Sequence, residues 1–135
     1  MDFKTAVTTV LTQKYADFTG RACRSEYWWW VLGYALTYIA IAVISGIVLG
    51  RFTMRLPSLF VLAVALPTLA VGVRRLHDLE KSGWWLLIGL VPFVADLILL
   101  YFVSGLILLY FFVQRGTAGP NLYGPDPLPQ AITAA

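Results

Sequence analysis

The chain has 135 residues, of which 59% are hydrophobic and 13% are charged. This length suits one domain, and the composition excludes an ordinary soluble globular protein and favours the membrane class. The net charge is +3, but the lysines and arginines cluster beside apolar runs, which indicates membrane topology and headgroup contacts instead of nucleic-acid binding.

Residues 1–20 are predicted to form an amphipathic helix in the membrane interface. Apolar residues recur three and four positions apart from Phe3 to Phe18, with Thr, Gln, Lys and Asp between them. A helix of this kind ahead of a membrane span lies with its apolar face toward the acyl chains. The alternative is a loosely ordered N-terminus.

Residues 21–113 are predicted to form an all-α, polytopic transmembrane domain with three spans, at about 27–50, 56–73 and 84–113. The first run is free of charge and is long enough for about 36 Å of helix, and the second for about 27 Å. Pro67 lies inside the second span and predicts a kink, at which a neighbouring segment has to satisfy the carbonyl that proline leaves free.

The third run, 84–113, has Asp96 as its only charge. One straight helix of that length measures about 45 Å, too long for one span and too short for two. We therefore expect either a tilted, broken third span or a fourth helical segment, with a break near Asp96. Residues 114–135 are rich in Pro and Gly and are predicted to be a turn-rich tail.

The positive-inside rule favours a cytoplasmic N-terminus. With three spans, seven of the ten lysines and arginines lie on the cytoplasmic face and three lie opposite. This arrangement leaves the tail outside, unless the chain turns back near Asp96 and returns the tail to the cytoplasm.

Two mixed-charge clusters, one before the first span and one at the hinge after the second, are each followed by aromatic residues. In this topology both lie on one membrane face, where we expect them to form a joint polar surface. The candidate binding residues are Arg21, Arg24, Glu26, Arg74, Arg75, His77, Asp78 and Ser82.

The spacing within the hinge predicts its local pairing. If the second span continues past Val73, both Arg74 and Arg75 come within ion-pairing reach of Asp78. Ser82 is placed to cap the next helix. Such a hinge is either an ion-paired corner that fixes the angle between two spans or an anion site for a lipid headgroup or phosphate, since arginine matches phosphate geometry.

Other chemistry has weaker support. His77 is the only histidine, so a metal site here lacks the usual three or four ligands, and neither a metal nor another cofactor is predicted. A nucleophile pair of Ser82 and His77 matches in composition only. Asp96 is an intramembrane carboxylate that either has a function or ends a helix. The small residues Gly46 and Gly50 leave oligomerisation open.

Three ordered motifs resemble the bacterial inner-membrane family catalogued as domain of unknown function 805. They are Phe18-x-Gly20-Arg21-Ala-x-Arg24-Ser-Glu26-Tyr27-Trp28, then Arg74-Arg75-Leu76-His77-Asp78 with Ser82-Gly83-Trp84-Trp85, then Gly119-x-Asn121-x-Tyr123-Gly124-x-Asp126-Pro127. The resemblance implies a multi-span helical protein of the inner membrane and no established reaction, substrate or cofactor. The long last run and Asp96 depart from the family pattern.

We expect the protein to act by interaction and not as an enzyme. Its cytoplasmic-face cluster would contact membrane lipids, including anionic ones, a membrane-protein partner, or a second copy of the chain. A transport component in which Asp96 and His77 line a polar path is the second hypothesis. The third is an enzyme acting on lipid phosphates, which requires Arg75, His77 and Asp78 to converge on one pocket.

Overall fold

The computed structural model describes residues 1–50, 55–90 and 98–128, and every regular element in these ranges is helical. The elements are α1 (Phe3–Thr8), which continues as a π-helix (Thr9–Gln13), α2 (Arg24–Leu49), α3 (Arg55–Asp78), a 3₁₀ helix (Gly83–Leu90) and α4 (Ile98–Val113). The predicted helical fold class is therefore confirmed for the described residues.

The helices α2 and α3 are long and apolar enough to cross a membrane, and α4 is a shorter apolar helix. Ile47 and Leu62 are among many apolar side chains that point outward, with 76% and 72% exposure, as expected of helices that face lipid. Helix α2 ends at Gly50, whose φ of 61° is the left-handed conformation that glycine adopts without strain. Helix α3 continues to Asp78, beyond the predicted end at Val73, so most of the hinge charge is helical.

The N-terminal helix packs along α2. The Asp2 carboxylate accepts a hydrogen bond from the Thr5 amide at 2.8 Å, which caps α1. Hydrogen bonding by the Thr5 side chain, followed by this amide bond, lowers the pKa of the Asp2 carboxyl. The Phe3 ring meets Trp29 edge to face, with centroids 5.8 Å apart. Both Phe3 and Val7 lie against the Cα of Gly33, where a larger residue would press on them.

The helical path ends at Gln13, earlier than the apolar spacing up to Phe18 predicts. Beyond it, the Asp17 carboxylate accepts hydrogen bonds from both the hydroxyl and the amide of Thr19. A short polar side chain that satisfies nearby backbone in this way competes with the helix, which explains the earlier end. The hydroxyl bond, followed by the amide bond, also lowers the pKa of Asp17.

Helix α3 passes through Pro67, which has no N–H to offer to the carbonyl of Ala63. The hydroxyl of Tyr15 donates to that carbonyl at 2.5 Å. The expected satisfaction of the freed carbonyl is therefore present, and its donor comes from the segment that follows the π-helix. At Thr68, the residue after Pro67, the side-chain hydroxyl accepts from the Trp30 indole at 3.2 Å, and this bond ties α2 to α3.

The two described parts of the run 84–113 meet at their outer ends. The ring of Trp85, in the 3₁₀ helix, packs edge to face on Phe111, near the end of α4, with centroids 5.3 Å apart. The Trp28 indole in turn donates to the Phe112 carbonyl. The number of spans in the run 84–113 stays a prediction. The alternative with separate helical segments agrees with the described residues, while Asp96 and the predicted break lie outside them.

Candidate functional site

Asp78, the last residue of α3, joins two arginines from different parts of the chain. Its Oδ1 accepts from Nε of Arg21 at 2.9 Å, and its Oδ2 accepts from Nη1 of Arg75 at 2.5 Å. Both arginine side chains are completely buried. Charge-assisted bonds of this kind are the strong class, so Asp78 fixes the first sequence cluster to the second.

Arg74 pairs with Glu26 of α2, with 2.5 Å between Nη1 and Oε1 and both side chains buried. The expected pairing of Arg74 with Asp78 is therefore wrong. Successive residues of a helix point about 100° apart, so Arg75 turns toward Asp78 while Arg74 turns toward α2. Its Nε and Nη2 atoms have no hydrogen-bond partner among the described residues.

We call Arg21, Glu26, Arg74, Arg75 and Asp78 the buried charge cluster. It holds three cations and two anions, so one positive charge is not matched within it. The two predicted sequence clusters do meet, but they form a buried network and not an open polar surface. Burying ions is costly, and breaking such a pair costs more than forming it gains, so this geometry supports the ion-paired corner.

Backbone carbonyls of the tail complete the cluster. We call residues 114–128 the tail strap. Arg21 donates to the carbonyls of Thr117 and Gly119, and Arg75 donates to those of Gln114 and Phe112. These acceptors satisfy guanidinium donors that would otherwise be buried without partners, so the end of the chain is part of the site.

The last carbonyls of α3 are satisfied by three different segments, although helix ends usually leave these groups free. The Arg74 carbonyl accepts from the Ala22 amide, and the Leu76 carbonyl accepts from the Lys81 amide. The His77 carbonyl accepts from the Asn121 side-chain amide, and the Asp78 carbonyl accepts from the Thr117 amide; all four distances are 2.7–2.9 Å. The residues before α2 and the tail strap are therefore both attached to one helix end.

His77 lies at the edge of the cluster. Its Nδ1 is 3.0 Å from the Gly20 carbonyl, and its ring stacks on Tyr123 with a centroid distance of 4.0 Å and an interplanar angle of 3°. A carbonyl can only accept, so the Nδ1 atom carries the hydrogen in this contact.

Two predicted site residues, Arg24 and Ser82, stand apart from the buried charge cluster. Arg24 is exposed, with one long hydrogen bond of 3.4 Å to the Val113 carbonyl. Ser82 is also exposed, and its hydroxyl oxygen accepts from the Trp84 amide at 3.3 Å, as the predicted cap requires. Asp96 lies outside the described residues. Within the described ranges, no group of three or more His, Cys, Asp or Glu side chains is placed to hold a metal ion.

A groove of about 420 Å³ opens beside α3, between the segment before α2 and the 3₁₀ helix. We call it the side groove. His77 and Ser82 supply polar side chains to it, and its other walls are mainly apolar. The lining residues are Phe18, Leu69, Val73, His77, Ser82, Gly83, Trp84, Leu86 and Leu87.

The side groove does not gather the residues that an enzyme acting on lipid phosphates would need. His77 lines it, whereas Arg75 and Asp78 are paired with each other in the buried cluster. A catalytic set requires its members to reach one reacting atom. The convergence that the enzyme hypothesis requires is therefore missing.

Residues of the tail strap belong to the site but were not among the predicted site residues. Asn121 and Tyr123 hold His77, and the Asp126 carboxylate accepts from the amides of Leu128 and Gly119. Those two backbone bonds, the one from Leu128 first, lower the pKa of Asp126. The third family motif, Gly119 to Pro127, was the signal that pointed to them.

Comparison with known proteins gives relatives along most of the chain. Residues 15–125 match the family described as "Protein of unknown function (DUF805)". Inner membrane protein YhaI of Escherichia coli strain K12 is 43% identical over 115 residues, which cover 85% of this chain and 89% of that protein. Inner membrane protein YhaH of the same strain is 35% identical over 126 residues, which cover 85% of this chain and 90% of that protein. No solved structure matches the chain significantly.

Proposed function

The chain belongs to the DUF805 family, as its three motifs predict, and we propose that it is a multi-pass inner-membrane protein that binds phospholipid in the side groove. The observation that carries this proposal is the amphipathic character of the groove, which combines the polar side chains of His77 and Ser82 with apolar walls that include Leu69 and Leu87. A volume of about 420 Å³ is within the usual range for small-molecule sites.

A membrane lipid is the occupant because the groove continues into surfaces that face the bilayer. Leu69 is 51% exposed and Trp84 is 77% exposed, so apolar side chains of the groove wall also reach the outer surface. Tryptophan also favours the level of the headgroups, where an acyl chain meets the phosphate. A lipid can therefore enter sideways from the bilayer.

This proposal moves the lipid contact away from the arginines of the predicted cluster. The guanidinium groups of Arg21, Arg74 and Arg75 are buried, and their donors are directed to carboxylates and backbone carbonyls. A headgroup reaching them from outside would have to displace the tail strap. We therefore assign the cluster to the stability of the fold and the side groove to the ligand.

We also propose that the N-terminus, the buried charge cluster and the tail strap all lie on the cytoplasmic side. Contacts between the strap and α3 support one shared side for them. Eight of the ten lysines and arginines then fall on this side, and Arg51 and Arg55 fall on the other, a stronger asymmetry than the three-span arrangement gives.

Groove-filling mutations test the lipid proposal. The protein is extracted in a mild detergent, and the bound phospholipid is quantified by mass spectrometry. Leu69→Trp fills the groove and should reduce the bound phospholipid at least severalfold. Leu62→Trp, the same change on the same helix at a position that is 72% exposed and outside the groove, should leave it unchanged. Equal lipid content in both variants refutes the proposal, and loss of a copurifying protein in place of lipid indicates a protein partner.

Reporter fusions test the orientation. A cytoplasm-active reporter such as green fluorescent protein should fluoresce when fused to either end of the chain, and alkaline phosphatase, which is active only outside, should be inactive at both. Opposite results at the two ends contradict the shared side.

A further inference from the structure

We infer that the side groove selects phospholipids whose headgroup carries N–H or O–H donors, such as ethanolamine or glycerol, over choline lipids, which carry none. This inference rests on the proposed function, because it concerns the headgroup of the lipid assigned to the same groove. It follows from the polar atoms that the structure leaves available on two residues that line the groove, His77 and Ser82.

The first of these atoms is Nε2 of His77. Because Nδ1 donates its hydrogen to the Gly20 carbonyl at 3.0 Å, the other nitrogen of the neutral ring is an acceptor. Nε2 has no hydrogen-bond partner within the described part of the chain. His77 lines the groove, and Nε2 is the atom of its side chain that can accept a hydrogen bond from a ligand there.

The tail strap fixes the orientation of this ring. Tyr123 stacks face to face on His77 with an interplanar angle of 3°, and the Asn121 side-chain amide donates to the His77 carbonyl at 2.9 Å. With Nδ1 held by the Gly20 carbonyl, the ring cannot turn without breaking that bond or the stacking contact. An acceptor that is held in place beforehand binds a donor with less loss of conformational entropy.

The second atom is the hydroxyl oxygen of Ser82. It accepts from the Trp84 amide, so its own hydrogen remains available to a phosphate oxygen. The nearby Lys81 ammonium is 5.7 Å from the centroid of the Phe111 ring. One acceptor and one donor that line the same groove complement a phosphate that is followed by an amine or hydroxyl, and they do not complement the methylated amine of choline.

A lipid competition tests the inference on the unmodified protein. The full chain is reconstituted in vesicles of equal palmitoyl-oleoyl phosphatidylethanolamine and phosphatidylcholine, extracted gently, and its bound lipids are counted by native mass spectrometry. A second reconstitution replaces the ethanolamine lipid with phosphatidylglycerol. We expect about fivefold enrichment of either donor-bearing lipid over the choline lipid, the effect of about one hydrogen bond.

His77→Phe removes the acceptor while keeping a ring that can stack on Tyr123. It should abolish the enrichment of the donor-bearing lipid over the choline lipid. No enrichment in the unmodified protein, or enrichment that persists in His77→Phe, overturns the inference. If Leu69→Trp nevertheless lowers the bound lipid, the proposed function stands without the headgroup selection; if it does not, the proposed function itself fails.

Discussion

The pair of Glu26 and Arg74 is the contact whose removal should be most damaging. Glu26→Ala takes away the only hydrogen-bond partner that the Arg74 guanidinium has among the described residues. Removing one partner of a buried pair costs about 3–5 kcal/mol, because the remaining charge stays buried and uncompensated. Since about 1.4 kcal/mol is a tenfold change, opening of this region should become more than about a hundredfold more frequent.

The thiol of Cys23 reports this opening directly. It is the single cysteine of the chain, it lies three residues before Glu26, and it is only 3% exposed. The rate at which a maleimide labels it in mild detergent therefore measures how often the cluster opens. Glu26→Ala should raise this rate more than about a hundredfold. Labelling at the rate of the unmodified protein refutes the reasoning.

A double substitution separates the uncompensated charge from lost packing. Replacing both Glu26 and Arg74 by Met removes the two ions together and leaves apolar side chains of similar length. Replacements of this kind are often neutral or stabilising. Cys23 labelling in the double variant should return close to the original rate. If Cys23 is labelled as fast in the double variant as in Glu26→Ala, the loss of stability comes from lost packing and not from an uncompensated charge.

Three further changes test other contacts. Gly116→Ala drives a methyl group into the Asp78 carboxylate, so proteolysis of the tail strap should accelerate. Gly105→Ala is the control, because its Cβ meets no atom within 4 Å, and it should leave the rate of proteolysis unchanged. Tyr15→Phe should lower the free energy of unfolding in detergent by about 1 kcal/mol. This loss should be smaller in a Pro67→Ala background, which supplies the missing backbone N–H to the Ala63 carbonyl. Equal losses in both backgrounds contradict the hydrogen bond from Tyr15 to that carbonyl. The ionised Asp126 stabilises the tail strap fully above its ordinary pKa of 3.8, and this contribution is lost as the pH falls through the lowered pKa. Cleavage of the strap by pepsin should therefore rise in that acidic range, and an Asp126→Asn variant whose cleavage shows the same pH dependence excludes this carboxyl as the cause.

The sequence predicted the features that composition determines. Charge-free runs of sufficient length identified α2 and α3, because few other structures tolerate so much apolar surface. The repeated order of mixed charges followed by aromatics predicted that the clusters around Arg21 and Arg75 lie together, because both had to sit at one interface. The helical spacing also predicted the contact between Arg75 and Asp78.

The features that the sequence did not predict depend on three-dimensional placement. Whether Arg74 pairs with Asp78 or Glu26 depends on where α2 lies, and no spacing within α3 contains that information. The tail strap binds arginines through backbone carbonyls, which every residue has, so its sequence carries no signature of the contact. The composition of the apolar run 84–113 can be read from the sequence, but the direction of each segment in space cannot. The sequence therefore did not predict that the end of α4 lies against the cluster.

The tail strap has a consequence for how the protein is made. Thr117 is translated 39 residues after Asp78, which at about 5–20 residues per second takes about 2–8 s. Until the strap is made, Arg21 and Arg75 lack the carbonyl partners that it supplies, so water or headgroups have to satisfy those donors. A chain whose synthesis stops before the strap should therefore leave part of its charge site open to water.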